Sequence, residues 1–236
     1  LSNEITGPDN GIHARNSSNS DFVSNEIEVQ GEYGIDAYDC DFSRIDSNVV
    51  RGYDDGVQYA IYAPESYYVN VEHNDLTEFR HMGVYFQNSA NAKVNHNVIE
   101  IGSSPYSQNY YTPNAGIWND ASNQFAEVSS NDINFLGAAV GYRMGARGIG
   151  VHDSEIRGNT VSVSTATGQT RTNAVGIYSF RSTIQDNVVF VDDSEGCCHW
   201  RSGGYSFNDH GYGVGILSLG DGAPRHDISN NVIDAN

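Results

Sequence analysis

Lysine is almost missing from this chain. Lys93 stands alone among 236 residues, the other eleven basic side chains are arginines, and 30 acidic residues leave a net charge of −18. Such a field repels polyanions, so nucleic acid and anionic membrane surfaces are excluded as partners. A polyanionic substrate is disfavoured too, unless salt or a local arginine compensates. An acid excess with so little lysine is expected of a protein adapted to high salt, where self-repulsion is screened. Cysteine is scarce: Cys40, Cys197 and Cys198 are an odd count with a vicinal pair, which excludes a disulfide framework. Cys197-Cys198-His199 has no metal-ligand spacing, so no metal is expected; no motif asks for a cofactor, and calcium is not indicated. No run of 18 apolar residues is present, which excludes a membrane-crossing helix. No long stretch keeps a 3.6-residue apolar period, so an all-β chain is expected.

What is there instead is a repeated asparagine. It recurs at Asn3, Asn25, Asn48, Asn74, Asn97, Asn131, Asn159, Asn187 and Asn231. An apolar residue precedes most of these by three positions (Phe22, Ile45, Val71, Val94) and another follows by two (Ile27, Val50, Leu76, Ile99). From the start of a Gly-Ile-type strand to the next Asn the distance is nearly fixed: Gly11 to Asn25, Gly34 to Asn48, Ala60 to Asn74 and Gly83 to Asn97 are each 14. From each Asn to the next strand start it ranges from 8 to 28. One part of each repeat is thus a frame, and the other is a loop free to grow. Short period-two strands that cannot close a core alone must stack on copies of themselves. The prediction is a right-handed single-stranded parallel β-helix of about nine coils, three strands per coil. Residues 1–236 read as one domain. No capping element is written at either end, and no leader is visible, so a segment of a longer chain is expected. The asparagines are assigned a structural task, as a column of turn residues bonding one another.

The variable loops, Gly102–Ala115, Gly137–Gly150, Ser162–Asn173 and Asp192–Gly213, all enter at the Gly-Ile strand, so that strand floors any cleft. Alternation puts Ile12, Ile35, Ile61, Val84, Ile117, Ile177 and Ile216 inward. The outward row then reads His13, Asp36, Tyr62, Tyr85, Trp118, Tyr178 and Leu217, with Arg15, Tyr38, Gln87, Asp120 and Phe180 in a second row. Aromatics in a line, interleaved with polar groups, suit stacking on sugars, and they equally suit covering the sheet under loops. His13, Arg15, Tyr38, Tyr62, Tyr85, Trp118 and Tyr178 are the candidate substrate-binding residues.

The chain resembles the parallel β-helix repeat proteins, pectate-lyase-like enzymes among them. In coils two to four, Tyr33-Gly-Ile-Asp36-Ala-Tyr38, Asp55-Gly-Val and Arg80-His81-Met-Gly-Val resemble the signatures of the mannuronan C-5 epimerases and alginate lyases. That resemblance implies Tyr33 as proton donor, Asp36 and Asp55 as essential acids, and Arg80 and His81 as carboxylate neutraliser and base. The departures are Ala37-Tyr38 in place of Pro-His and Met82 between His81 and its Gly. The function implied is an extracellular polysaccharide-acting β-helix, a uronate epimerase or lyase working by proton abstraction. The other class is a non-catalytic surface, fibre or viral-spike β-helix that binds glycan or stacks end to end or as a homo-oligomer with partner subunits. Either belongs outside cells or on a cell or virion surface; the sequon Asn16-Ser17-Ser18 points the same way. If the acidic, lysine-poor surface is a high-salt trait, the melting temperature rises steeply from about 0.1 M to about 1 M salt, over which the screening length falls from ~10 Å to ~3 Å. A melting temperature flat across that range would remove this account of the composition.

Overall fold

A computed structural model describes residues 3–7, 9–53, 58–102, 114–120, 126–138, 146–165, 174–192, 201–202, 205–206, 213–219 and 227–235. Among them every regular element is a strand, and no helix is long and apolar enough to cross a membrane. The strands form three parallel sheets of nine, eight and eight, each strand pairing with its counterparts one coil above and below. A separate antiparallel pair joins Arg201–Ser202 to Tyr205–Ser206. This is the right-handed parallel β-helix expected, three strands per coil.

The nine-stranded sheet follows the asparagines, from Glu4–Gly7 to Val232–Ala235. The second sheet runs from Ile12–Arg15 through Tyr33–Tyr38, Tyr59–Tyr62, Met82–Phe86, Asn114–Asn119, Ala146–His152 and Ala174–Phe180 to Val214–Leu219. The third precedes the asparagines, from Asp21–Val23 to Asp227–Ser229. Inward apolar rows from all three meet in one core, in which Ile35, Ile61, Val84, Ile117, Ile149 and Ile177 of the second sheet are fully buried. Burying each such side chain contributes about 1.5–3 kcal/mol. The glycine opening the second-sheet strand has a steric reason. A Cβ on Gly116 would meet the Ile133 side chain at 2.4 Å and the Gly148 carbonyl oxygen at 2.6 Å, so glycine lets this sheet close onto the nine-stranded one.

All nine repeat asparagines stack in one column. Each Nδ2 donates to the next Oδ1, from Asn3 to Asn231, at 2.8–3.0 Å. From Asn48 to Asn231 the Oδ1 also accepts the backbone N–H of the preceding coil's asparagine. The left-handed backbone belongs to the residue before each of Asn25 to Asn231 and not to the asparagine: Ser24, Ser47, His73, His96, Ser130, Gly158, Asp186 and Asn230 all have φ between 50° and 61°. The turn spends its unusual angles one residue early, which leaves the amide free to face the column. Serines form shorter ladders at other corners, where Ser66 Oγ accepts from the Cys40 N–H and Ser154 Oγ from the Ala126 N–H.

Asn74 donates to Asn97 Oδ1 and to the Ile45 and Glu72 carbonyls, and accepts from the Asn48 backbone and side chain. Replacing it by Ala orphans buried partners on both sides, at a cost on the order of 1–3 kcal/mol for each group left unsatisfied. Asn3→Ala, at one end of the column and exposed, removes one side-chain link and should cost under about 1 kcal/mol. Chemical denaturation of the two variants checks this; equal losses would show that the column does not hold the coils.

Candidate functional site

Every candidate binding residue lies on the second sheet's outer face or at its margin. The register pairs His13 with Asp36, Asp36 with Tyr62, Tyr62 with Tyr85, Tyr85 with Trp118, Trp118 with Gly150, and Gly150 with Tyr178. This is the outward row read from alternation, with Gly150 as the member that sequence reasoning lacked. A parallel column, Tyr33–Tyr59–Met82–Ala115–Arg147–Val175, stands beside it. Tyr59 and Arg147 are residues of this face that the sequence reading missed, because they sit just before the Gly-Ile pair taken as the strand start.

The rings pack on one another. Tyr33 stacks on Tyr59 and Tyr62 at 5.5 and 5.2 Å between centroids, and Tyr85 on the same two at 5.7 and 5.3 Å. Tyr59, Tyr85 and Trp118 are buried as a result, while Tyr33, Tyr62 and Tyr178 remain half-buried. The hydroxyls donate sideways: Tyr62 to Gln87 Oε1 at 2.6 Å, Tyr85 to Asp120 Oδ2 at 2.8 Å, and Tyr38 to Glu65 Oε2 at 2.9 Å. Burial pushes Tyr62 up to about 12 and raises Tyr33, Tyr59 and Tyr85 further, so these phenols are neutral donors at any working pH.

At the first coils His13 Nδ1 lies 2.6 Å from Asp36 Oδ2, with Asp36 buried and its Oδ1 unpartnered. Burial raises the Asp36 carboxyl above its ordinary value, although His13 and Arg15 pull it down. Arg15 sits over the Tyr38 ring at 5.5 Å. His81 is buried, with Nδ1 donating to Asn114 Oδ1 at 2.5 Å. The Tyr59 ring stands between it and Tyr33, at 5.4 Å from one and 5.5 Å from the other. Arg80 is half-buried on the turn before Met82–Phe86. Asp55 and Cys197, Cys198 and His199 lie outside the described residues. Thus His13 meets Asp36, Arg15 meets Tyr38, and the tyrosines meet one another, whereas Tyr33 and His81 do not meet.

At the other end Arg147 is 5% exposed, its guanidinium carbon 3.9 Å from the Tyr178 ring and 4.9 Å from the Trp118 ring. A Cβ on Gly150 would sit 2.2 Å from the Trp118 indole, so glycine there is the slot in which that ring lies. His152 packs edge-on against Tyr178 and Phe180.

Burial lowers His81 below its ordinary 6.5, against the pull of its bond to Asn114. The unfolded chain therefore takes up a proton near 6.5 that the folded chain refuses. This part of the stability is whole above that value and lost as pH falls below it. His81→Gln keeps a hydrogen-bonding side chain without a titration. The stability gap between wild type and variant should narrow from about pH 7.5 to about pH 5 in parallel thermal melts. A constant gap would mean burial does not hold His81 neutral.

Comparison with known families gives a match to the family described as periplasmic copper-binding protein (NosD), over residues 1–135. Neither the comparison with curated proteins nor that with solved structures gives a match. Among the described residues no group of three or more His, Cys, Asp or Glu side chains could hold a metal ion. The nearest approach is the stacked pair His73 and His96, 5.2 Å apart, with Asp46 on His73 Nδ1 at 3.2 Å. Cys40 is buried, its thiol pushed up by burial and turned to the Tyr38 and Ala14 carbonyls, which disfavours the thiolate. With coils one to five matched, more than half its length, the chain belongs to the NosD family of parallel β-helix proteins.

Proposed function

We propose that this chain works outside the cytoplasm as a carbohydrate-binding β-helix, with a glycan lying along the outer face of the second sheet. The family's periplasmic description supports the location. The observation that carries the reading is an aromatic column running beside a row of hydrogen-bonding side chains: Tyr38 beside Glu65, Tyr62 beside Gln87, Tyr85 beside Asp120. Sugars offer apolar ring faces and hydroxyl edges, and such paired strips answer both. Since neighbouring rings occupy most faces within the column, sugar contacts fall on half-buried Tyr33, Tyr62 and Tyr178 and on the polar row.

Binding is favoured over catalysis by the placement of the candidate acid and base. Proton abstraction beside a carboxylate needs a base, a neutralising cation and an acid around one ring. Tyr59 separates Tyr33 from His81, and His13 already engages Asp36. A uronate epimerase or lyase is the second reading, and one observation favours it: an exposed imidazole oriented by a buried carboxylate, His13 on Asp36, is how a general base is built.

Calorimetric titration with a panel of soluble neutral and acidic oligosaccharides tests both readings, with an ultraviolet assay for unsaturated sugar ends. The expected result is binding without product, weakened about 2–10-fold in Tyr62→Ala or Tyr178→Ala, as loss of an aromatic contact of about 0.5–1.5 kcal/mol implies. Product that disappears in His13→Ala would replace binding by the second reading. No binding to any member of the panel would overturn both.

A further inference from the structure

We propose that the Trp118–Arg147–Tyr178 cluster is a carboxylate-binding subsite, which takes the acid group of an acidic sugar lying on this face; it rests on the carbohydrate-binding reading above. Arg147 is the second residue of the strand Ala146–His152 and stands opposite Ala115 on one side and Val175 on the other. The small Ala115 leaves room for a guanidinium, and Gly150 three residues later lets the Trp118 indole fold in beside it. Stacking on Trp118 and Tyr178 fixes the plane of the guanidinium and so the direction of its N–H fork.

Two buried donors of this cluster have no acceptor: Arg147 Nε and Trp118 Nε1. Such groups carry a desolvation cost that an acceptor would remove. The nearby acids do not supply one. Asp120 accepts from the Tyr85 hydroxyl and the Asn88 N–H, and Asp153 is paired with Arg181. Arg147 is the one arginine that is buried among the described residues, and burial lowers it only to about 10, so the charge persists at neutral pH. A planar fork matches a carboxylate, which accepts on two oxygens in one plane. A phosphate dianion would call for more than one cation in a chain of net charge −18. Arg147 and Tyr178 lie beyond the family match, which ends at residue 135 and takes in Trp118.

The probe is a pair of oligogalacturonides of one length, one with free acids and one fully methyl-esterified, titrated calorimetrically into the whole chain in one buffer. The free acid should bind at least tenfold more tightly than the ester. Arg147→Met should abolish that preference, binding acid and ester with equal affinity, and Arg147→Lys, which keeps the charge but not the fork, should restore only part of it. Acid and ester bound equally by the wild type would overturn the subsite and leave the carbohydrate reading standing. A preference unchanged in folded Arg147→Met would do the same. If Arg147→Met does not fold, the wild-type ratio of acid to ester still decides. Binding of neither would remove the carbohydrate reading and the subsite with it.

Discussion

The stacking of one coil on the next through the asparagine column is the interaction on which everything else in this molecule depends. No coil can close an apolar interior by itself, since its strands are three to seven residues long. Coil must therefore meet coil in a defined register, and a one-residue slip would turn every inward side chain outward. The amide column makes that slip costly. Each Oδ1 of Asn48 to Asn231 takes two N–H donors from the coil before it, and each Nδ2 of the same asparagines also reaches a carbonyl of an earlier coil, as Asn97 does with Val71. A fully satisfied polar column inside a core specifies one alignment, because any other leaves several of its members unpaired at once.

That register is what turns alternation into a working face. Once the asparagines are aligned, residues 13, 36, 62, 85, 118, 150 and 178 fall into one outward row, whatever the length of the loops between coils. The coil spacing then brings successive rings to the 5.2–5.7 Å at which Tyr33, Tyr59, Tyr62 and Tyr85 stack. A single tyrosine on a sheet surface would expose both faces to water; in a column each covers its neighbours. The same stacking that makes the face apolar also uses up ring surface, which is why hydroxyls and their acceptors matter as much as rings in what the face offers a ligand.

Coil architecture and the outward row were legible because both follow from counting: a fixed 14-residue frame and a period of two. His13 and Asp36 were legible as neighbours for the same reason. The left-handed residue before each asparagine was not, because Ser, His, Gly, Asp and Asn all occupy it and share no side-chain signature. Tyr59 and Arg147 escaped because the strands of this sheet begin earlier than the Gly-Ile pair that marks them. The burial of Tyr85, Trp118 and His81 escaped as well. Burial of an outward residue depends on which rings its neighbours in adjacent coils bring, and that is a property of the stack, invisible along the chain.

The face is also graded in charge along the stack. It opens on His13 and a buried aspartate, passes through neutral tyrosines, and ends at a buried cation. The last of these is the least expected in a chain with 30 acids and 12 bases. Taking a guanidinium out of water is costly, and an acidic neighbour is the ordinary remedy. Here the two aspartates closest in sequence to the Trp118–Arg147–Tyr178 cluster, Asp120 and Asp153, are bound to Tyr85 and Arg181. Aromatic faces offset part of the cost through their quadrupoles, but they accept none of the N–H bonds. An apolar side chain at position 147 would fill the same place between Trp118 and Tyr178 without that cost. The arginine is thus better explained by a carboxylate brought from outside than by the packing of the folded chain.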